Sequence, residues 1–131
     1  MATNLNYNLD DPTAVVQYTA GADITSGSVV VLGTVTGQKC TLGIAVTDIA
    51  NGATGSVCVR GVATVAKVSA AVIVQGEVVD WDASASSFDD NVATSATGDV
   101  PGGAIAAESA GNGVTSIKII LDPALQGTLT A

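Results

Sequence analysis

The nine-residue pattern A-x-I-x-x-G-x-V-V occurs twice in this chain, as Ala22–Val30 (ADITSGSVV) and as Ala71–Val79 (AVIVQGEVV). Each copy places an apolar residue before a Gly and adjacent valines after it. Gly serves where the backbone must turn tightly or take a positive φ, and Val suits a pleated, half-buried surface. Ile49-Ala50-Asn51-Gly52 opens the same way and reaches Ser56-Val57 after three extra residues, as a looser third copy. Gly43-Ile44-Ala45, Gly61-Val62-Ala63 and Gly103-Ala104-Ile105-Ala106 read as equivalent return segments, small enough for backbones to pass closely at a barrel seam. The copies are too few and too uneven for a solenoid. The expected fold is all-β, a small β-barrel or sandwich with pseudo-repeated hairpins and an extended N-terminal arm.

The centre of this pattern is Gly43–Lys67. Gly43–Thr47 and Ser56–Val59 flank the turn cluster Ala50-Asn51-Gly52-Ala53-Thr54-Gly55, and Val62–Val65 follows across Gly61. A three-stranded meander is expected there, because nothing in it has the 3.6 period of an amphipathic helix. Thr13–Tyr18, Val78–Asp82 and Val114–Leu121 are further strands, the last stopped by Asp122-Pro123. Asp82–Gly103 reads as a surface loop with one short hairpin around Phe88 and Val92. Ala104–Ser109 fits either a strand or a helical turn. One β domain over 13–122 is expected, preceded by a polar, Asn-rich arm (1–12) and followed by a loosely ordered tail (123–131).

At 131 residues the chain is long enough for one modest core. Fifteen Gly, three Pro and 3% aromatic residues describe short strands joined by tight turns, and a mean hydropathy of +0.49 argues against disorder. No apolar run reaches the roughly 18 residues of a membrane helix. The opening MATNLNYNLDD holds neither a basic nor an apolar leader region, so synthesis in a reducing cytoplasm is expected. Twelve acids against four bases give a net charge of −8, which repels phosphate backbones and speaks against direct nucleic-acid binding. Charged residues make up only 12% of the chain, which fits a small domain that buries surface against a partner.

Motifs that carry chemistry fail on their details. Gly33–Cys40 (GTVTGQKC) imitates a phosphate-binding loop. Its second Gly comes one residue early, Gln38 intervenes, and Cys40 stands where a hydroxyl must reach magnesium, so a hairpin turn is expected. Asp80–Ser86 (DWDASAS) imitates half a calcium loop, with Ala85 in place of the sixth-position Gly and Asn91 in place of the closing Glu. With no His in the chain, Ser-His-Asp and Cys-His catalysis are excluded. Cys40 and Cys58 lie in apolar surroundings and read as buried, inert thiols, with a disulfide between them left open by two positions alone. Asp80 and Asp82 share one strand and could pair across a sugar bond, yet so few aromatic residues leave no stacking platform. Neither an enzyme nor a cofactor is expected. Trp81 with Asp80 and Asp82 is the one candidate groove for an alternative role, a fibre or adhesin-like module that binds glycans, although Trp81 reads more simply as core.

The order of these elements resembles the tailed-phage capsid cement, or head decoration, family, a former domain of unknown function often mislabelled as a RecA-like recombinase. The residues that carry the resemblance are A-x-I-x-x-G-x-V-V (22–30), G-I-A-V (43–46), G-x-V-x-V-R-G-V-A (55–63), A-x-I-x-x-G-x-V-V-D-W-D (71–82), G-A-I-A-A (103–107) and V-x-x-I-K-I-x-L (114–121). The resemblance covers roughly residues 13–122. It implies a β-rich structural protein on the outer face of the mature icosahedral shell, where subunits of the major capsid protein meet. Such a protein is commonly a homotrimer and strengthens the shell against internal DNA pressure. By that analogy capsid or subunit contacts are expected within residues 1–18, at Asn4, Leu5, Tyr7, Leu9, Val16 and Tyr18. Arg60 and Lys67 are expected to pair with acidic groups on the shell or a sister subunit.

Overall fold

Valine-rich runs cut by Gly turns are too short and too β-branched to bury one face as helices, and in the computed structural model of the chain they form strands. The structure describes residues 14–33, 35–90, 95–125 and 127–131. Among these described residues nine strands follow one another: β1 (Ala14–Thr19), β2 (Val29–Leu32), β3 (Lys39–Ala45), β4 (Thr54–Ala66), β5 (Val78–Asp82), β6 (Ser87–Asp89), β7 (Val100–Ala106), β8 (Ser116–Leu121) and β9 (Gly127–Thr128). They make one curled antiparallel sheet in the order β2-β3-β4-β8-β7-β5-β6, with β1 added to β4 and β9 to β3. The result is an all-β half-barrel, as the Gly-Val pattern predicts.

The two strong repeats are structural repeats. Ile24 and Ile49 exchange backbone hydrogen bonds of 2.8 and 2.9 Å, and Ile73 and Ala110 exchange two of 2.9 Å. The Gly27 amide donates to Ala45 O as that of Gly76 does to Ala106 O. Val29 and Val30 pair with Ile44 and Gly43, while Val78 and Val79 pair with Ile105 and Ala104. Even the turns are capped alike, since the Ser26 amide donates to Asp48 Oδ1 and the Gln75 amide to Ser109 Oγ.

Three expectations are corrected here. Ile49–Val57 is not a third copy; Ile49 is the partner strand position of the first. Gly61-Val62-Ala63 is not a return segment either, because residues 56–59 and 62–65 belong to one 13-residue strand, β4. Gly61 takes a φ of +137°, and there the ladder changes partner. Residues up to Arg60 pair with β1 and β3, and residues from Gly61 onward pair with β8. The meander therefore has two strands, and β4 ends the first repeat and begins the second. Finally, residues 127–130 are not loose: β9 pairs with Lys39 and Cys40, and Leu129 is buried. Ala104–Ser109, readable either way, enters strand β7 up to Ala106. The hairpin around Phe88 forms as β5–β6, while Val92 lies outside the described residues.

Alternation along the strands sorts side chains into two cores. The larger gathers Leu42, Ile73, Val79, Trp81, Phe88, Val100, Ile117 and Ile119 with their neighbours. The smaller holds Ala20, Val30, Ala45, Ile49, Val57 and Val59. Odd-numbered residues of β4 serve both, Val57 and Val59 in the smaller and Val65 in the larger.

Candidate contact surface

β1 lies on the outside of β4 and carries the most exposed apolar pair near the N-terminal arm, Val15 at 50% and Val16 at 41%. It is held by its ladder to Thr54–Arg60 and by two cross-strand side-chain bonds, Gln17 Nε2 to Ser56 Oγ and Thr19 Oγ1 with Thr54 Oγ1. Tyr18 is half-buried against the smaller core. Of the expected contact residues, Val16 and Tyr18 thus stand together on an outer strand, while Asn4, Leu5, Tyr7 and Leu9 lie outside the described residues.

Arg60 is exposed, just before the partner switch at Gly61, with its Nε 4.0 Å from Asp122 Oδ1. An exposed pair at that distance holds the guanidinium only weakly, so Arg60 remains available to another carboxylate. Lys67 does not. It is 3% exposed, and its Nζ donates to the carbonyls of Val68 (2.8 Å), Val114 (3.0 Å) and Gly111 (3.1 Å), with Ser69 O at 3.4 Å. The ammonium saturates itself on this chain's own turns, so the expectation that Lys67 pairs with a partner's acid is corrected.

A second exposed feature crosses the sheet. Val62 lies opposite Ile120, Ile120 opposite Ile105, and Ile105 opposite Val78. Val62 is 65% and Val78 51% exposed, so four strands present an apolar row outward. Sequence reasoning passed over it. The signal was Ile119-Ile120-Leu121, where a strand with one buried face must turn the middle residue out.

Glu77, Asp80 and Asp90 line an open depression of about 660 Å³ with Val72, Val78, Pro101 and Gly102. Asp80 is buried and accepts the Gly102 amide at 2.7 Å. Asp82 instead closes a tight turn. The Ser84 hydroxyl at 2.7 Å, with the amides of Ala85 and Ser84, holds its carboxyl below the ordinary range. Burial pushes the Asp89 carboxyl up, and Asp90 and Asp82 add to this by repulsion. Among the described residues no three of Cys, Asp and Glu gather as a metal site. Trp81 belongs to the larger core: it packs edge-on against fully buried Phe88, with ring centroids 5.3 Å apart, and is 9% exposed. Cys40, whose thiol burial pushes up, and Cys58 are both free. The loop that imitated a phosphate cradle is a hairpin connection, with the Gly37 amide bonded to Leu129 O and that of Gln38 to Val35 O.

What the geometry offers is surface: an outer strand, an exposed and weakly paired cation, and an apolar row on a rigid sheet. No curated protein matches the chain. The family profile described as phage cement protein matches residues 10–121, nearly all of the described sheet and both repeats. The chain belongs to the phage cement protein family, and is a structural protein of the phage capsid.

Proposed function

We propose that this protein binds the outer surface of the mature capsid, at the junctions between subunits of the major capsid protein, and stabilises the shell there as a homotrimer made in the host cytoplasm. The observation that carries this reading is the match to the cement family over residues 10–121. The architecture supports it. A sheet pinned by ladders throughout binds without losing much conformational freedom, so buried area converts efficiently into affinity. Strand addition along an outer edge gives such a protein a main-chain route to a partner. Val16 and Tyr18 with the segment holding Asn4, Leu5, Tyr7 and Leu9 supply the contacts to capsid or sister subunit, and Arg60 supplies a charge-assisted one.

Binding of the purified protein to expanded capsids and to procapsids tests this directly. The protein is expected on expanded capsids only, and it is expected to raise their resistance to heat or chelator. Cryo-electron microscopy of virions gives the decisive image. A shell surface without this chain would sink the proposal.

A further inference from the structure

Among the described residues, the second repeat closes a ring that the first leaves open. Along the outer edge of β5 runs β6, with Trp81 opposite Phe88, and Phe88 meets Lys67 in a parallel bridge just past the end of β4. The Phe88 carbonyl accepts the Val68 amide at 2.8 Å, and its side chain is fully buried. β2 and β3 repeat β5 and β7, the first part of β4 repeats β8, and β1 repeats the second part of β4. Cys58 stands between Val15 and Ile44 as Ile120 stands between Val62 and Ile105. Between β2 and β3, however, there are only residues 33–38, where the second repeat has the long connection bearing β6. Among the described residues no strand pairs with the outer edge of β2, and the smaller core holds no counterpart of Phe88. Its side chains at that opening are incompletely covered: Leu32 and Tyr18 are half-buried. Val16, directly opposite fully buried Val57 and so on the same sheet face, is 41% exposed.

One segment of this chain has the matching pattern. Asn4-Leu5-Asn6-Tyr7-Asn8-Leu9-Asp10 alternates polar and apolar residues strictly, as a strand with one buried face does. Asn6-Tyr7-Asn8 has the polar-aromatic-polar order of Ser87-Phe88-Asp89. Direction decides whose segment fits. β6 runs parallel to β4 at its bridge, so a strand in the same position beside β2 runs parallel to β1, with Tyr7 near the end of β1 and Leu9 two residues beyond. About seven residues of strand, roughly 23 Å, then separate Leu9 from Ala14. The five residue steps between them reach only about 17 Å, and parallel neighbours need a crossover of about a dozen residues. The chain cannot fill its own opening in this sense.

We propose that Leu5–Leu9 of a second copy of this chain fills the strand position beside β2 where no described strand pairs, with Tyr7 in the place that Phe88 takes in the second repeat. The arm is thus exchanged between copies, and the smaller core is completed only in the assembly. This does not depend on capsid binding, because every expected outcome is read on the protein without capsid. Sedimentation of the full chain against Tyr7→Asp is the first measurement. The wild type is expected as a multimer and the variant as a monomer with an unchanged circular dichroism spectrum. Equal masses for the two overturn the proposal. Cysteine pairing then identifies the donor, in a background of Cys40→Ala and Cys58→Ser. Copies carrying Tyr7→Cys mixed with copies carrying Leu32→Cys are expected to form a disulfide-linked dimer. A bond formed only within a chain carrying both substitutions, no bond at all, or one that appears only when capsid protein is added, each overturns it. Should Leu32→Cys fail to fold, hydrogen exchange at Val30–Leu32 takes its place. Those amides are expected to exchange faster in Tyr7→Asp than in the wild type, and identical rates overturn the proposal.

Discussion

Lys67 shows how one residue can look like a contact in sequence and be a staple in the fold. A lone Lys at the end of a valine-rich strand in a chain of net charge −8 reads as a cation seeking an acid. Its neighbours in space are instead the carbonyls of two turns, 68–69 and 111–114, which are 44 and more residues away at their far side. Replacing it by Met keeps the stem and strips the donors, leaving four carbonyls without this partner. Lys67→Met is expected to cost on the order of 3 kcal/mol in urea unfolding, and a change near zero would mean that water reaches those carbonyls. Asp89 gives a pH prediction with a definite sign. Its folded-state carboxyl is raised above the ordinary value of 3.8 by burial, so ionising it weakens the fold, and this penalty is absent below the unfolded value and grows as pH rises through the folded one. Asp89→Asn keeps the acceptor for the Asp90 amide and is expected to be more stable than wild type at neutral pH, the difference vanishing in acid. Asp82, lowered chiefly by the Ser84 hydroxyl, acts the other way: its contribution is present above the unfolded value and is lost as pH falls through the folded one. Denaturant midpoints across an acid-to-neutral series separate the two.

At the scale of elements, β4 is the strand on which sequence and structure diverge most usefully. Gly61 between Arg60 and Val62 looks like a turn, and two segments of four residues look like two strands. The strand instead continues through the Gly, because a positive φ at one residue re-aims the chain without ending its pairing. An L-residue there adopts that backbone only with strain, so Gly61→Ala is expected to destabilise by about 1–2 kcal/mol. A neutral result in chemical denaturation would show that the strand can bend elsewhere. The duplicated A-x-I-x-x-G-x-V-V was legible because it encodes local chemistry, an apolar anchor, a Gly turn and a Val strand. Its partners Ala45–Ile49 and Ala106–Ala110 were not, since Asp48 and Ser109 cap the same turn with different side chains. Pairing over such distances is set by tertiary packing. β9 was hidden for a similar reason: two residues of strand leave no period to read, and only the Lys39–Cys40 edge defines them.

At the scale of the whole molecule, one sheet carries two cores of unequal strength, and this sets how it should open. The second repeat buries Trp81, Phe88, Ile117 and Ile119 and recruits Leu42 and Leu129 from outside itself. The first rests on alanines, valines and one isoleucine, with Tyr18, Ile24 and Leu32 only half covered. Apolar burial is worth about 25 cal/mol per Å², so the smaller and shallower core holds its strands with less free energy. Local opening is therefore expected to begin at β1 and β2, with β7 and β8 last. β4 belongs to both repeats, so its two ends should differ within one strand, Val57 and Val59 exchanging their amide protons faster than Ala63 and Val65. Native-state hydrogen exchange on the isolated protein measures this residue by residue. Equal protection at the two ends would show that β4 couples the repeats into one cooperative unit. A gradient falling from Val65 towards Val57 would show that the two repeats open separately, as their unequal cores predict.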